Sequence, residues 1–335
     1  MARRTDTLDE TGAEGELAMR QRDTISRRAF LASLGAVGAA SALRPLRAAV
    51  VPEVPAAHPG PILTRAIPSS GEKLPLVGLG SWITFNAGDD VPARNSCADV
   101  MGAFFQEGGR LIDSSPMYGS SQEVIGYGLG RLGHPPQLFA ADKVWTSSGK
   151  AGPGQVEESL RHWGIPRFDL LEVHNLTNWE DHLPMLFAMK KAGRLRYVGV
   201  TTSEGRRHDE MERVMRSQPV DFVQVTYNVL DREVEQRILP LALERRIGVI
   251  CNRPLRRGEL IERVARAPLP AWAAEIDCAN WAQVLLKFIV SHPAVIAAIP
   301  ATSRVDHARQ NVGASYGRLP DEAMRRRIVA HVEKL

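Results

Sequence analysis

From about residue 62 onward, short apolar runs alternate with longer stretches whose apolar residues recur at helical spacing. Runs 62–67 and 74–79 flank Ser69-Ser70-Gly71-Glu72, which predicts an antiparallel hairpin, and the second run continues into Gly80-Ser81-Trp82. Further strand-like runs fall at 111–113, 138–143, 168–173, 197–202, 222–225, 248–252 and 295–299. Between and after them, helical patterns cover 94–107, 121–132, 154–163, 183–192, 208–217, 234–245, 277–291, 305–313 and 321–334. Counted from Gly80 to Ile299 this is eight strands, each followed by a helix. Apolar strands joined by amphipathic helices predict a parallel sheet covered by helices. Eight such units favour an α/β fold closed as a (β/α)8 barrel over an open sheet, here with an N-terminal β-hairpin and a C-terminal helix. A doubly wound dinucleotide fold would need a glycine-rich turn directly after its first strand. The candidate, Gly126-Tyr127-Gly128-Leu129-Gly130, follows no strand and sits within a helical pattern, so it is rejected.

The barrel pattern occupies 62–335, and what precedes it reads differently. Residues 1–24 are polar, without an apolar period, and predict disorder. Ser26-Arg27-Arg28-Ala29-Phe30-Leu31 then leads into a weakly apolar Ala/Gly-rich run ending near Ala42. Paired arginines before such a run predict a twin-arginine export signal within residues 1–49, cleaved near Ala48-Ala49. The expected partner is the twin-arginine translocation machinery and the expected location the periplasm, or the cytoplasm if the signal is not used. A stable membrane anchor is not expected, because the run is shorter than the roughly 20 residues a bilayer needs. The Pro/Ala-rich segment 50–61 reads as a linker. The net charge of +4 comes partly from this arginine-rich leader and gives no reason to expect a nucleic-acid partner. Three cysteines, Cys97, Cys251 and Cys278, make no disulfide framework, and no Cys/His cluster has metal-ligand spacing.

Candidate chemistry gathers at the strand ends. Asp113 ends the second strand, Lys143 the third and His174 the fourth, while Tyr118 lies in the Ser/Pro/Gly loop after Asp113. Singly, these read as a loop cap, a snorkelling lysine, a structural histidine and rim packing. Together, in a barrel whose strand ends share one rim, they converge on one cavity. A tyrosine titrating near 10 donates a proton poorly. A lysine cation at about 4 Å, with an effective dielectric near 20, stabilises its phenolate by about 4 kcal/mol, or roughly three pKa units before desolvation pushes back. Aspartate would hold the ammonium in place, and histidine would orient a carbonyl oxygen. The set suits protonation of an alkoxide formed as hydride reaches a carbonyl. It contains no metal cage, and hydride has to come from a cofactor.

These residues resemble the aldo-keto reductases, nicotinamide-dependent (β/α)8-barrel oxidoreductases. The resemblance spans nearly all of 62–335: Leu74-Pro75-Leu76-Val77-Gly78-Leu79-Gly80, the Asp-x4-Tyr-Gly block from Asp113 to Gly119, Lys143, His174, Val198-Gly199-Val200, Gln224 with Tyr227-Asn228, and Ile299-Pro300 leading to Gln310-Asn311. It implies that Tyr118 is the general acid/base, Lys143 lowers its pKa, Asp113 pairs with Lys143 and His174 orients the carbonyl of a small-molecule aldehyde or ketone. It also implies NADP(H) more often than NAD(H), extended along the rim. Ser81 and Trp82 match the loop beside the nicotinamide. Thr201 and Thr202 stand where the family usually has Ser-Asn, leaving Gln224 for the carboxamide. Asn252-Arg253-Pro254-Leu255 replaces a loop in which many members place an aromatic ring. Thr302, Ser303 and Arg304 offer hydroxyls and a guanidinium to an adenosine phosphate, with Gln310 and Asn311 following; Arg304 is the expected 2′-phosphate ligand. Trp82 and Trp145 are expected to line the substrate site. Two other readings stay open at this point: an exported barrel with a tightly held nucleotide, acting in redox sensing or interaction, and a non-redox isomerase or lyase using the same Tyr and Lys.

Overall fold

The structure is a computed structural model that describes residues 58–335. The twin-arginine segment and the first part of the linker lie outside the described residues. A hairpin of β1 (Thr64–Ala66) and β2 (Lys73–Pro75) comes first, then β3 (Leu79–Gly80). The repeating units follow as α1 (Val91–Gln106), β4 (Leu111–Asp113), α2 (Ser121–Arg131), β5 (Phe139–Val144), α3 (Gly152–Trp163), β6 (Phe168–Val173) and α4 (Trp179–Lys191). The chain continues through β7 (Leu195–Thr201), α5 (His208–Ser217), β8 (Phe222–Thr226), α6 (Ile238–Arg245), β9 (Gly248–Asn252), α7 (Glu259–Val264), α8 (Trp281–Val290), β10 (Val295–Ala298), α9 (Val305–Gly313) and α10 (Glu322–Val332).

Strands β3 to β10 form one eight-stranded parallel sheet in sequence order. Its two edges meet. Gly78 N–H donates to Ala298 O at 2.9 Å, Ala298 N–H to Leu76 O at 3.0 Å and Gly80 N–H to Pro300 O at 3.1 Å, closing the barrel. The seam needs a glycine at 80, since a Cβ there would lie 2.7 Å from Ile299 O.

Strand alternation sorts the side chains into two cores. Residues such as Ile112, Ala140, Leu171, Val198, Val223 and Val249 face the helices in the larger core. Leu111, Phe139, Ala141, Leu170, Tyr197, Phe222, Ile250 and Ile296 fill the barrel together with Ile67 and Leu74 from the hairpin. The hairpin sits at the amino ends of the strands, where the Arg65 guanidinium donates to the carbonyls of His292 and Val295, and Arg110 to that of Lys73. With one end plugged, open space is left at the carboxyl ends.

Several boundaries move for local reasons. Helix α1 starts three residues before its apolar period, because Asp90 caps Ala93 N–H at 2.8 Å and Pro92 fits the first turn. Helix α4 starts at Trp179 and carries Pro184 inside it, where the periodic pattern had placed a proline near the start. The expected helix 277–291 begins only at Trp281: Asp277 is left-handed, with φ 50°, and Asn280 caps Gln283 N–H. The stretch between β9 and α8, which shows no helical period in the sequence, holds α7 and a 3-10 segment, Ala271–Ile276. Six residues between turns are too few to show a helical period. Glycines 126, 128 and 130 lie in α2, as the helical pattern predicts. Gly126 serves helix packing, since a Cβ there would meet His162 O in α3 at 1.9 Å. Gly126→Ala should therefore lower unfolding stability by about 1–3 kcal/mol. Denaturant unfolding checks this, and a wild-type midpoint would contradict the contact.

Candidate active site

The carboxyl ends of the strands surround a cavity of about 780 Å³, lined by Ser81, Trp82, Asp113, Met117, Tyr118, His174 and further residues of these loops. Register brings the chemical groups together. Asp113 ends β4, Lys143 lies one residue before the end of β5, and Lys143 is level with Glu172 on β6. Odd-numbered Asp113 and Lys143 and even-numbered Glu172 sit on inward-facing positions of their strands, and His174 follows directly after the end of β6 with the parity of Glu172.

Lys143 is buried, and all three of its ammonium hydrogens are used. Nζ lies 2.7 Å from both Asp113 carboxylate oxygens and 2.8 Å from Ser114 O. Burial alone would lower the Lys143 pKa, but Asp113, then Tyr118 and Glu172, reverse this and hold it above the usual lysine range. Asp113 is fixed further by Gln224, whose Nε2 donates to Asp113 Oδ1 and to Glu172 Oε2 at 2.9 Å each. Ser81 Oγ donates to Asp113 O at 2.8 Å, tying the loop after β3 to the same strand end.

Tyr118 sits above this pair, with Lys143 Nζ 5.4 Å from its ring centroid. Among the described residues no protein group hydrogen-bonds its hydroxyl, and the residue lines the cavity. Desolvation, expected to push back against Lys143, is the larger effect on this phenol: burial pushes Tyr118 up to about 12, Lys143 opposes, and Asp113, Glu172 and Asp142 add to the rise. The lysine does favour the phenolate, but its charge is largely answered by the carboxylate it holds. Tyr118 is thus a neutral phenol at physiological pH, able to donate a proton.

His174 stands edge-on to Tyr118, ring centroids 5.6 Å apart at 85°. Burial, then Lys143, lowers its pKa to about 3, so the ring is neutral. Its Nδ1 lies 2.7 Å from Ser115 Oγ.

Thr201, Gln224, Asn252, Arg253, Pro254, Leu255, Thr302, Gln310 and Asn311 all line the cavity. Gln224 was expected to face a carboxamide, but its amide hydrogens are taken by Asp113 and Glu172 inside the barrel. Asn252 is tied between strand ends, accepting from Thr226 Oγ1 at 2.7 Å and donating to Thr202 O at 2.8 Å. Thr202 is buried outside the lining, its hydroxyl without a partner. Ser303 and Arg304 also lie outside the lining, and Arg304 forks onto Asp306 at 3.0 and 2.6 Å. Trp145, expected on the substrate wall, is not part of the cavity lining; its backbone is held by the Gln155 amide, and 42% of its surface is exposed.

Four site residues had not been singled out. Glu172 is buried, with Oε1 unpartnered, and burial raises its pKa well above the usual carboxylate range against the pull of Lys143. Its position two residues before His174 marks it as inward-facing, which was the available signal. Ser115 sat unremarked inside the Asp-to-Tyr loop. Glu204 and Arg257 lie on the rim: Arg257 stacks on Trp82, 4.2 Å from its ring, and pairs with Glu204 at 3.0 Å. Glu204 also pairs with Arg206 and Arg253. Together they join the loops after β3, β7 and β9.

A sequence model of the Aldo/keto reductase family matches residues 76–332. The chain belongs to this family. Relatives include the methylglyoxal reductase YeaE of Escherichia coli K12, 27% identical over 74% of this chain and 88% of that protein. An NADH-specific methylglyoxal reductase of the same organism is 27% identical over 59% of this chain and 68% of its own length. Among solved structures, an aldo-keto reductase from Klebsiella pneumoniae in complex with NADPH superposes with a TM-score of 0.66 at 21% identity, covering 82% of this chain and 95% of that one. That likeness agrees with the (β/α)8 barrel. The chain is accordingly an oxidoreductase of the aldo/keto reductase type.

The burial of Tyr118 has a spectroscopic consequence. An exposed tyrosine is half ionised near about pH 10. The phenolate difference band between wild type and Tyr118→Phe should remain absent there in the ligand-free protein. A band half-developed at that pH would contradict the reading.

Proposed function

We propose that the protein reduces an aldehyde or ketone to an alcohol, with NADPH as hydride source and Tyr118 as general acid. The observation that carries this reading is a neutral phenol with an unengaged hydroxyl, set beside a neutral histidine and near a closed Lys143–Asp113 ion pair, with Tyr118, His174 and Asp113 lining one cavity and Lys143 buried behind them.

The cavity suits a dinucleotide. Its lining extends from Tyr118 and His174 to Thr302, His307, Gln310 and Asn311, and it includes Arg206, Arg253 and Arg257. Arg253 keeps a buried Nε without a partner, a donor available to a phosphate oxygen. A nicotinamide cofactor supplies the hydride when bound. The protein's part is to receive the carbonyl and deliver a proton. His174 and the Tyr118 hydroxyl are both in reach of a carbonyl oxygen placed in this corner. As negative charge builds on that oxygen, Tyr118 releases its proton to it and the C=O becomes CH–OH. The phenolate left behind is steadied by Lys143, which remains bound to Asp113 and Ser114 throughout. Because burial holds Tyr118 protonated at rest, the free site stands in the form that reduction requires.

Small reactive aldehydes are the first substrates to try, given the names of the Escherichia coli relatives. For the cofactor, Arg304 remains the proposed 2′-phosphate ligand, and it has to exchange Asp306 for the phosphate. NADPH oxidation with a panel of aldehydes tests both proposals. Tyr118→Phe should lose about 100-fold or more in turnover, and Arg304→Ala should lose several-fold in its preference for NADPH over NADH. Undiminished turnover in Tyr118→Phe removes the assigned acid, and an unchanged cofactor ratio removes Arg304.

A further inference from the structure

We propose that Ser115 is a positioning residue that fixes the tautomer of His174, making the ring an Nε2–H donor to the substrate's carbonyl oxygen. The inference rests on the carbonyl-reducing reading for its consequence, but its structural half stands on hydrogen-bond accounting alone.

Ser115 is fully buried in the loop between β4 and α2, three residues before Tyr118. Its Oγ has two partners. Met117 N–H donates to it at 3.2 Å, and His174 Nδ1 lies 2.7 Å away. A hydroxyl carries one hydrogen and two acceptor lone pairs. The Met117 amide can only donate, so it fills one lone pair. The hydroxyl hydrogen then has a single acceptor within bonding distance, His174 Nδ1. A buried hydroxyl seldom leaves its hydrogen unpaired, because it has no water to fall back on.

If Ser115 donates to Nδ1, that nitrogen holds a lone pair. Burial and the nearby Lys143 keep the ring from carrying two protons. The one ring proton is therefore on Nε2. The opposite tautomer would have Nδ1–H donating to an oxygen that already accepts from Met117. It would strand the serine hydrogen and turn an Nε2 lone pair toward the carbonyl oxygen, where two acceptors repel. The loop that presents the acid thus also sets the histidine beside it. One chain of bonds runs from Met117 N–H through Ser115 to His174.

The bond donated by Nε2–H strengthens as charge builds on the oxygen, so its loss should appear mainly in kcat. Full-length protein labelled with 15N in histidine is examined at neutral pH without ligand, and His174 is assigned by difference from His174→Asn. Two-bond proton–nitrogen correlations should give a pyridine-type Nδ1 and a pyrrole-type Nε2. The reverse pattern overturns the proposal. In Ser115→Ala the spectrum should move toward a tautomer mixture, with kcat for aldehyde reduction falling about tenfold and KM changing less. A variant that keeps both the wild-type spectrum and the wild-type kcat also overturns it. If wild-type protein reduces no carbonyl, the catalytic reading falls, while the ligand-free spectra still decide whether Ser115 sets the tautomer.

Discussion

The contact between Lys143 and Asp113 is made where water is excluded, and the chemistry proposed above it depends on that contact. Two oxygens of one carboxylate and one backbone carbonyl accept all three ammonium hydrogens within 2.8 Å. Breaking such a buried pair from one side costs about 3–5 kcal/mol, because the remaining charge has no partner. The third of those bonds goes to Ser114 O, the first residue of the loop that carries Ser115, Met117 and Tyr118. The ion pair therefore anchors the backbone of the loop that presents Tyr118, the proposed proton donor, as well as supplying charge near it. Gln224 extends the anchor across the barrel to Glu172, so that β4, β5, β6 and β8 meet at one polar layer over an apolar floor.

That layer explains why the tyrosine stays protonated. A lysine considered alone, at about 4 Å and an effective dielectric near 20, would lower a phenol by roughly three units. Here the phenol rises to about 12. Desolvation is the largest cause, and three carboxylate-bearing residues, Asp113, Glu172 and Asp142, side with it. The lysine moderates the cost of forming the phenolate without making the phenolate the resting form. On the proposed reading this biases the free enzyme toward giving up a proton, and the developing alkoxide makes the transfer favourable.

The fold was legible because it is written in two short periods. Alternation placed Asp113, Lys143 and His174 at strand ends, and eight repeats of strand and helix required those ends to share a rim. Helix α5, strand β6 and strand β9 fall on the ranges the pattern predicts. What escaped was either too short or too local to show in a period, or was set by contacts between distant residues. The rim helix α7 is too short for a period, and the left-handed turn at Asp277 is local geometry that delays α8. In the site, Ser115 looked like loop filler until His174 was beside it. Glu172 looked like one polar residue in a strand until the barrel closed around it. Trp145 had the right residue type and keeps the parity of Lys143, but β5 ends at Val144, and beyond it the Gln155 amide holds the Trp145 backbone outside the cavity lining. Gln224 was read for its amide, and only the three-dimensional structure reveals two carboxyl groups competing for that amide.

The central claim is that a closed, buried ion pair makes Tyr118 an effective proton donor. Single-turnover reduction of a small aldehyde by NADPH-saturated protein tests it most directly, comparing wild type with the double variant Asp113→Asn, Lys143→Met, which removes both charges and leaves neither stranded. The account predicts a folded protein that still binds the cofactor and transfers hydride slower by about 100-fold or more. Hydride transfer at the wild-type rate in that variant would contradict it.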